Sequence, residues 1–300
     1  MFYTIIVIVI LIIFFFSYEI ISIKKENGAT KRRVDALGSF VFSMEKDIER
    51  RFYIGMSRAF LVLVEYTIQT GNACEDINLT LNEIWQNGTL KGTPKEIMKG
   101  ATLNDMTAFF EKYGKNINLN VSIKQKDFYV YQNEPWKIKA AIILEINVSD
   151  ISEIAKWDST KEFITEIQVE GLEDPLYMIK SNGLISNKIK KSEKEAFVDE
   201  MDVRGLMEHL SKMEYIHSSL APSFLDRLQG KTTPSPYGIE SLVNLEKIPK
   251  ELIKKDISVV DYMYLTENYT KSFKIKGMPS WFQLDENHLE VYNVSHLIIN

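Results

Sequence analysis

The chain reads as an α+β protein. An N-terminal transmembrane helix continues as a long amphipathic helix packed on an antiparallel β-sheet, and a C-terminal α+β lobe follows. Three observations predict this. Phe2 to Phe16 is almost entirely Ile, Val and Phe, extended by Ile20, Ile21 and Ile23. From Val34 to about Thr70, apolar residues recur every three or four positions, the period of a helix with one buried stripe. Beyond Asn118 the period drops to two, the mark of half-buried strands.

Residues 1–23 form the predicted span. About 23 residues at ~1.5 Å each reach ~35 Å, enough for a hydrocarbon core of about 30 Å. No basic residue precedes the run, and Ser17-Tyr18-Glu19-Ile20 offers no small-residue cleavage site, so it reads as a retained anchor. Residues 24–70 begin with a basic neck, Lys24, Lys25, Lys31, Arg32 and Arg33. Each would be drawn to anionic headgroups by about 1 kcal/mol. Asn27-Gly28 is the expected kink between the two helical parts. The seam then runs through Val34, Leu37, Val41, Met44 and Ile48. It widens to Phe52, Ile54, Met56, Phe60, Leu61, Leu63, Val64 and Ile68, with Glu65 pointing outward, and Gly71-Asn72 ends it.

Residues 71–185 are expected to form the sheet domain. Two short helices come first, one from near Leu79 to Asn87-Gly88 and one capped by Thr102 or Asn104 that stops at Gly114. Strands follow at Leu119 to Ile123, Phe128 to Tyr131, Ile138 to Val148 and Phe163 to Val169, an antiparallel meander with one wet face. The long helix is the natural cover for its apolar face. Asn187 to Lys194 reads as a basic, solvated link into a C-terminal lobe, residues 186–300. That lobe holds a helix at Val203 to Met213, a second from Pro222 to Gly230, and a helical turn at Ile239 to Leu245. Strands are expected at Val259 to Tyr264, Ser272 to Lys276, Leu289 to Tyr292 and Val294 to Ile299.

A net charge of -5 excludes the basic footprint of a nucleic-acid binder. Cys74 is the single cysteine, so no intrachain disulfide exists, and it reads as a small buried thiol. The sequence assigns no catalytic, cofactor or metal residue. His209, His217, His288 and His296 form no H-E-x-x-H, and the first two are expected at the surface. Asp285-Glu286-Asn287-His288 lacks the grammar of a calcium loop and reads as a polar turn. Gly55-Met56-Ser57-Arg58-Ala59 lacks the second glycine of a nucleophile elbow, and no glycine-rich phosphate loop is present. Nothing places the carboxylates Glu170, Glu173 and Asp174 together. Trp136, Trp157, Tyr262, Tyr264 and Trp281 read as core unless they line a binding pocket. The expectation is a protein that is not an enzyme.

Two signals oppose each other on orientation. The basic neck would hold the body in the cytoplasm by the positive-inside rule. Six N-x-[ST] sequons, at Asn78, Asn87, Asn120, Asn147, Asn268 and Asn293, mark an exported body, and the balance favours the outside.

An apolar N-terminal helix that continues as an amphipathic one and is covered by an antiparallel sheet resembles the type IV pilin plan, most of all that of archaeal pilin-like surface proteins. The likeness spans about the first 170 residues and is one of layout. Pilins usually carry a glutamate near the start of the apolar segment, whereas here the first acidic residue is Glu19. The resemblance implies a membrane-anchored, extracytoplasmic structural or adhesive subunit that self-associates, or joins pilin-like partners, through its N-terminal helix. The tail exceeds what a simple major subunit needs, which implies a minor one. The alternative expectation is a monomeric, membrane-tethered binding or sensory ectodomain.

Overall fold

The computed structural model describes the backbone of residues 2–194 and 196–299. Of the first 29 residues it describes the side chains of Phe15, Phe16, Ser17 and Glu19 alone. The protein is α+β, with antiparallel sheets and a long N-terminal helix. That helix, α1 (Phe2–Thr70), is helical without interruption through Asn27-Gly28. Among the described residues no helix is long and apolar enough to cross a membrane. The run expected to do so, residues 1–23, lies outside the described side chains but for the four just named.

The chain folds as two compact units, and both draw on α1. The first comprises Met1–Arg51, Asn104–Asp127 and Ile142–Phe163; the second comprises Phe52–Leu103, Phe128–Ala141 and Ile164–Asn300. A three-stranded antiparallel sheet contributes to each: β3 (Leu119–Glu134), β4 (Lys137–Asp150) and β5 (Lys156–Gln168), ordered β3-β4-β5. The short hairpin β1 (Thr89–Leu90) and β2 (Thr93–Pro94) precedes it. The two strands expected before Tyr131 are one continuous strand. Along β4 buried residues alternate with half-buried ones, as a sheet with one covered face requires.

In the first unit α1 buries Leu37, Phe40, Val41, Met44 and Ile48, while Val34 is exposed rather than part of the seam. Two ion pairs tie α1 to the sheet, Arg33 to Asp150 and Glu45 to Lys161. α3 (Leu103–Asn116) flanks it, with Tyr113 stacked on Phe40. Gly114 does not end this helix. A Cβ there would sit 2.5 Å from the Val121 side chain, so the glycine lets β3 pass close by.

In the second unit α1 buries Phe52, Met56, Phe60, Leu63 and Val64; Ile54 and Leu61 face outward. The Trp85 ring, on α2 (Ile77–Asn87), meets Phe52 edge-on with centroids 5.3 Å apart. α2 begins on an Asp76 cap and ends at Gly88 in the left-handed region. The remaining elements are α4 (Pro175–Lys180), α5 (Arg204–Lys212), β6 (Ile216–His217), α6 (Phe224–Leu228), β7 (Ile239–Glu240), α7 (Asp261–Leu265), β8 (Ser272–Ile275), β9 (Gln283–Asp285), α8 (Glu286–Val291) and β10 (Ile298–Ile299).

Several expectations for this tail are corrected. Ile239 to Leu245 is strand β7 and extended chain, not a helical turn, and Leu242 bridges Val260. The stretch expected as a strand at Val259 to Tyr264 contains α7, and the one at Leu289 to Tyr292 lies largely in α8. Val259 to Tyr264 is buried throughout, and Leu289 to Tyr292 is only four residues with Glu290 and Val291 exposed, so periodicity could not separate strand from helix in either. Asn187 to Lys194 is no solvated link: Ile189 is buried, and its backbone pairs with Gly171 and Leu172 on one side while Lys190 pairs with Tyr215 on the other. Its lysines point out while the alternate residues anchor it.

Gly55 shows how tightly α1 is held in the second unit. A Cβ there would lie 2.1 Å from the Trp85 ring and 2.6 Å from the Ala101 carbonyl. Gly55→Ala is therefore expected to destabilise the protein by about 1–3 kcal/mol through overpacking, although alanine is the better helix former by ~1 kcal/mol. Urea unfolding measures the balance, and a stabilised variant would mean that this contact is slack.

Candidate functional site

The chemistry of this chain concentrates in the second unit, where charged residues sit inside apolar runs. α6 starts on a reciprocal cap in which Ser223 and Asp226 hold each other's backbone amides. That cap turns Arg227, set between Phe224 and Leu228, fully into the core. Its Nη1 donates to Asp174 Oδ2 at 2.5 Å and to Asp261 Oδ2 at 3.0 Å. Its Nη2 donates to Asp261 Oδ1 at 3.2 Å and to the Ile239 carbonyl. Asp174 caps α4 and accepts a 2.8 Å bond from Tyr215 Oη. Asp261 also accepts from the Ser241 amide and hydroxyl. Burial raises the Asp261 carboxyl to about 6 even though Arg227 opposes the rise.

A second cluster begins one residue away, at Glu240. His288 lies between two carboxylates, with Nδ1 2.7 Å from Asp285 and Nε2 3.1 Å from Glu240. Ser258 donates to Asp285, and Tyr292 donates to Glu240. Burial pulls the imidazole down, but hydrogen bonds to Asp285 and Glu240 outweigh it and hold His288 at about 10. It is an imidazolium at neutral pH, both ring nitrogens donating. Each cluster thus sets one cation between two carboxylates. Glu240-Ser241 and Asp261-Tyr262 join the clusters, and the Tyr262 hydroxyl lies 3.3 Å from His288 Nε2.

Above them opens a cleft of about 420 Å³, lined among others by Tyr262, Asn268, Lys271, Asp285, Asn287 and His288. A wider hollow of about 700 Å³ shares Glu286 and Asn287 with it and adds His217. The cleft offers amides, hydroxyls and charges of both signs. Its one buried histidine is held by Asp285 and Glu240, and the lining offers hydrogen-bond partners suited to a polar ligand. Among the described residues no group of three or more His, Cys, Asp or Glu side chains is placed to hold a metal ion. Comparison with family models, with characterised proteins and with solved structures finds no match for this chain.

Sequence reasoning missed this site. Asp285 to His288 is not a polar turn: Asp285 ends β9 and His288 lies in α8, and both are buried. His209 is buried as well, against Phe197 and Tyr292, rather than at the surface. Its ring nitrogens have no partner among the described residues, and burial lowers it to about 4. His217 and His296 are exposed. Of the three carboxylates noted, Asp174 joins Arg227, whereas Glu173 accepts from Ser186 and Glu170 from the Lys191 amide. The aromatics do not converge. Tyr262 lines the cleft, Tyr264 is core, Lys191 lies over Trp136, and Trp157 is exposed in the first unit.

The other noted residues fall as follows. Asn78, Asn87, Asn120, Asn268 and Asn293 are exposed and Asn147 is half-buried; Asn78 also accepts from the Val130 amide, and Asn147 donates to Glu145. Lys24 and Lys25 lie outside the described side chains. Lys31, Arg32 and Arg33 are exposed, but Arg33 is bound to Asp150. Cys74 is buried, burial raises its thiol, and it donates to Thr80.

Removing the cation from the first cluster leaves two buried carboxylates facing each other. Arg227→Met is expected to cost about 3–5 kcal/mol in urea unfolding. Adding Asp174→Asn and Asp261→Asn should recover part of it, and no recovery would mean that Arg227 acts by packing alone. His288 supplies the pH dependence. Its folded value lies above 6.5, so its stabilisation is complete below about 6.5 and is lost as pH rises toward about 10. Asp261 is raised too, so its contribution weakens stability as pH rises from about 4 to about 6. His288→Asn should flatten the alkaline limb of a thermal-melting profile and leave the acid limb in place.

Proposed function

We propose that this protein is a membrane-anchored surface protein of type IV pilin-like plan, with its body outside the cell and its N-terminal helix serving as anchor and assembly element. One observation carries the reading. The apolar run and the buried seam belong to a single helix, Phe2–Thr70, with no loop between them. Lys24, Lys25, Lys31 and Arg32 would then meet headgroups where that helix leaves the bilayer. Past the neck, α1 turns Phe42, Tyr53, Ile54 and Leu61 outward, apolar surface that the helix of a neighbouring subunit would cover. Five of the six sequons are exposed, which supports an exported, glycosylated body.

The polar cleft favours a second reading, a tethered binding ectodomain that works as a monomer. The two readings make different predictions for the intact chain carrying a tag after Asn300. Protease added to whole cells should remove the tag, and the mature protein should carry glycan mass. A protected tag with unmodified mass would overturn the external body. After mild detergent extraction the pilin-like reading predicts oligomers that dissociate when Ile residues of the apolar run become Ser. A monomer that retains the cleft would favour the binding ectodomain.

A further inference from the structure

The first unit carries an apolar rim at one end, built from two loop tips. Ile151 and Ile154 sit on the turn between β4 and β5, Trp157 opens β5, and Ile117 lies between α3 and β3; all four are 44–53% exposed. A bond from the Ile151 amide to the Asn118 carbonyl joins the tips. Scattered exposed apolar residues need no explanation, but four on two bonded loops form a patch. Beneath them a hollow of about 370 Å³ runs between Arg32, Arg33, Leu37, Ile117 and Asp150.

The direction of the rim follows from the two ion pairs. Glu45 of α1 meets Lys161 of β5, and Arg33 meets Asp150 at the end of β4. Moving toward the start of α1 therefore means moving toward the β4–β5 turn. The rim lies at the end of the unit from which α1 continues into its apolar run. From Arg33 to Ile23 is ten residues, ~15 Å of helix. The headgroup layer takes up ~5–8 Å of that on each side of the bilayer. A turn that projects past Asp150 covers most of the remainder, and tilting of the helix closes the gap further.

We propose that Ile117, Ile151, Ile154 and Trp157 rest in the headgroup layer of the membrane that anchors α1, so that the first unit lies against the lipid surface. This rests on the anchor reading given above. A tryptophan beside isoleucines at a loop tip is suited to that layer, where an amphipathic ring finds both apolar and polar neighbours. Lys31 and Lys115 are exposed near the tips and add attraction to anionic lipid, offset in part by Glu153 on the turn.

The test uses the full chain in vesicles of phosphatidylcholine and phosphatidylglycerol, with an environment-sensitive fluorophore on Ile154→Cys. The same label on Ile10→Cys reports the anchor, and on Ile253→Cys, exposed in the second unit, it reports water. The native Cys74 is buried and is replaced by Ser in all three. The label at 154 is expected to shift to the blue and to be quenched several-fold more than that at 253 by lipids carrying a headgroup-level quencher. If 10 is lipid-embedded while 154 reads as water, the rim proposal fails and the anchor stands. If 10 also reads as water, the anchor reading falls and takes the rim with it. A blue shift at 154 without lipid quenching would mean that protein covers the rim, most simply a second copy, and would overturn the proposal.

Discussion

A helix with an apolar stripe along half its length must have that stripe covered, and most of what surrounds α1 follows from this constraint. Propensity does not hold a helix of 69 residues in place; tertiary burial does. The covering changes along its length. In the first unit an antiparallel sheet and α3 bury Leu37, Phe40, Val41, Met44 and Ile48, and side-chain ion pairs fix the register. Such half-exposed pairs are each worth only about 0–1 kcal/mol, so they place the helix while burial holds it. In the second unit the contact is backbone-close: Gly55 admits the Trp85 ring to the surface of α1, and no larger residue would.

The tail of the second unit is organised differently. Its helices are short, six residues in α4 and five in both α6 and α7, too few to bury a continuous stripe. Their ends are held instead by charge. Arg227 binds α6 to the start of α4 and the start of α7, and His288 binds α8 to β7. Buried ion pairs give little net stability because desolvation offsets their attraction. What they do supply is direction, since the Arg227 Nη atoms and the His288 ring nitrogens are each aimed at particular acceptors, although Arg227 Nε has no partner among the described residues. In a region of short elements that could dock in several ways, this selects one arrangement.

What was legible in the sequence reflects these two modes of construction. Where one face is dry and the other wet, as in α1, α2 and β3 to β5, the periodicity marks the element. Gly88 marks the end of α2, whereas its start, expected near Leu79, is set earlier by the Asp76 cap. Ile54 and Leu61 match the stripe in chemistry, yet the helix phase turns them out, whereas Val34 is in phase with Leu37 and Val41 and is nonetheless exposed. The tail was misread for the opposite reason. Val259, Val260, Tyr262, Met263, Tyr264 and Leu265 are all buried, so no period survives to distinguish α7 from a strand. The buried clusters did leave a trace, a charge set among apolar residues: Arg227 in Phe224-Leu225-Asp226-Arg227-Leu228, where Asp226 serves the cap, and Glu240 after Ile239. That signal says that a partner exists but not where, because Asp174 and Arg227 lie 53 positions apart.

On the proposed reading, the basic neck and the sequons would act at different stages. On the anchor reading, the positive-inside rule would act during insertion, before Arg33 had found Asp150, so the folded pair would not cancel the charge of the neck at that stage. The sequons also act before folding is complete, which is why the bond from Asn147 to Glu145 is no argument against its modification. What the folded state does add is compatibility. A glycan at Asn78, Asn87, Asn120, Asn268 or Asn293 would leave from exposed backbone without displacing core. Exposed asparagines are common on any folded surface, so these five positions are compatible with modification without requiring it. On the anchor reading, the neck would bear on the route of insertion and the exposed sequons on what the folded surface allows.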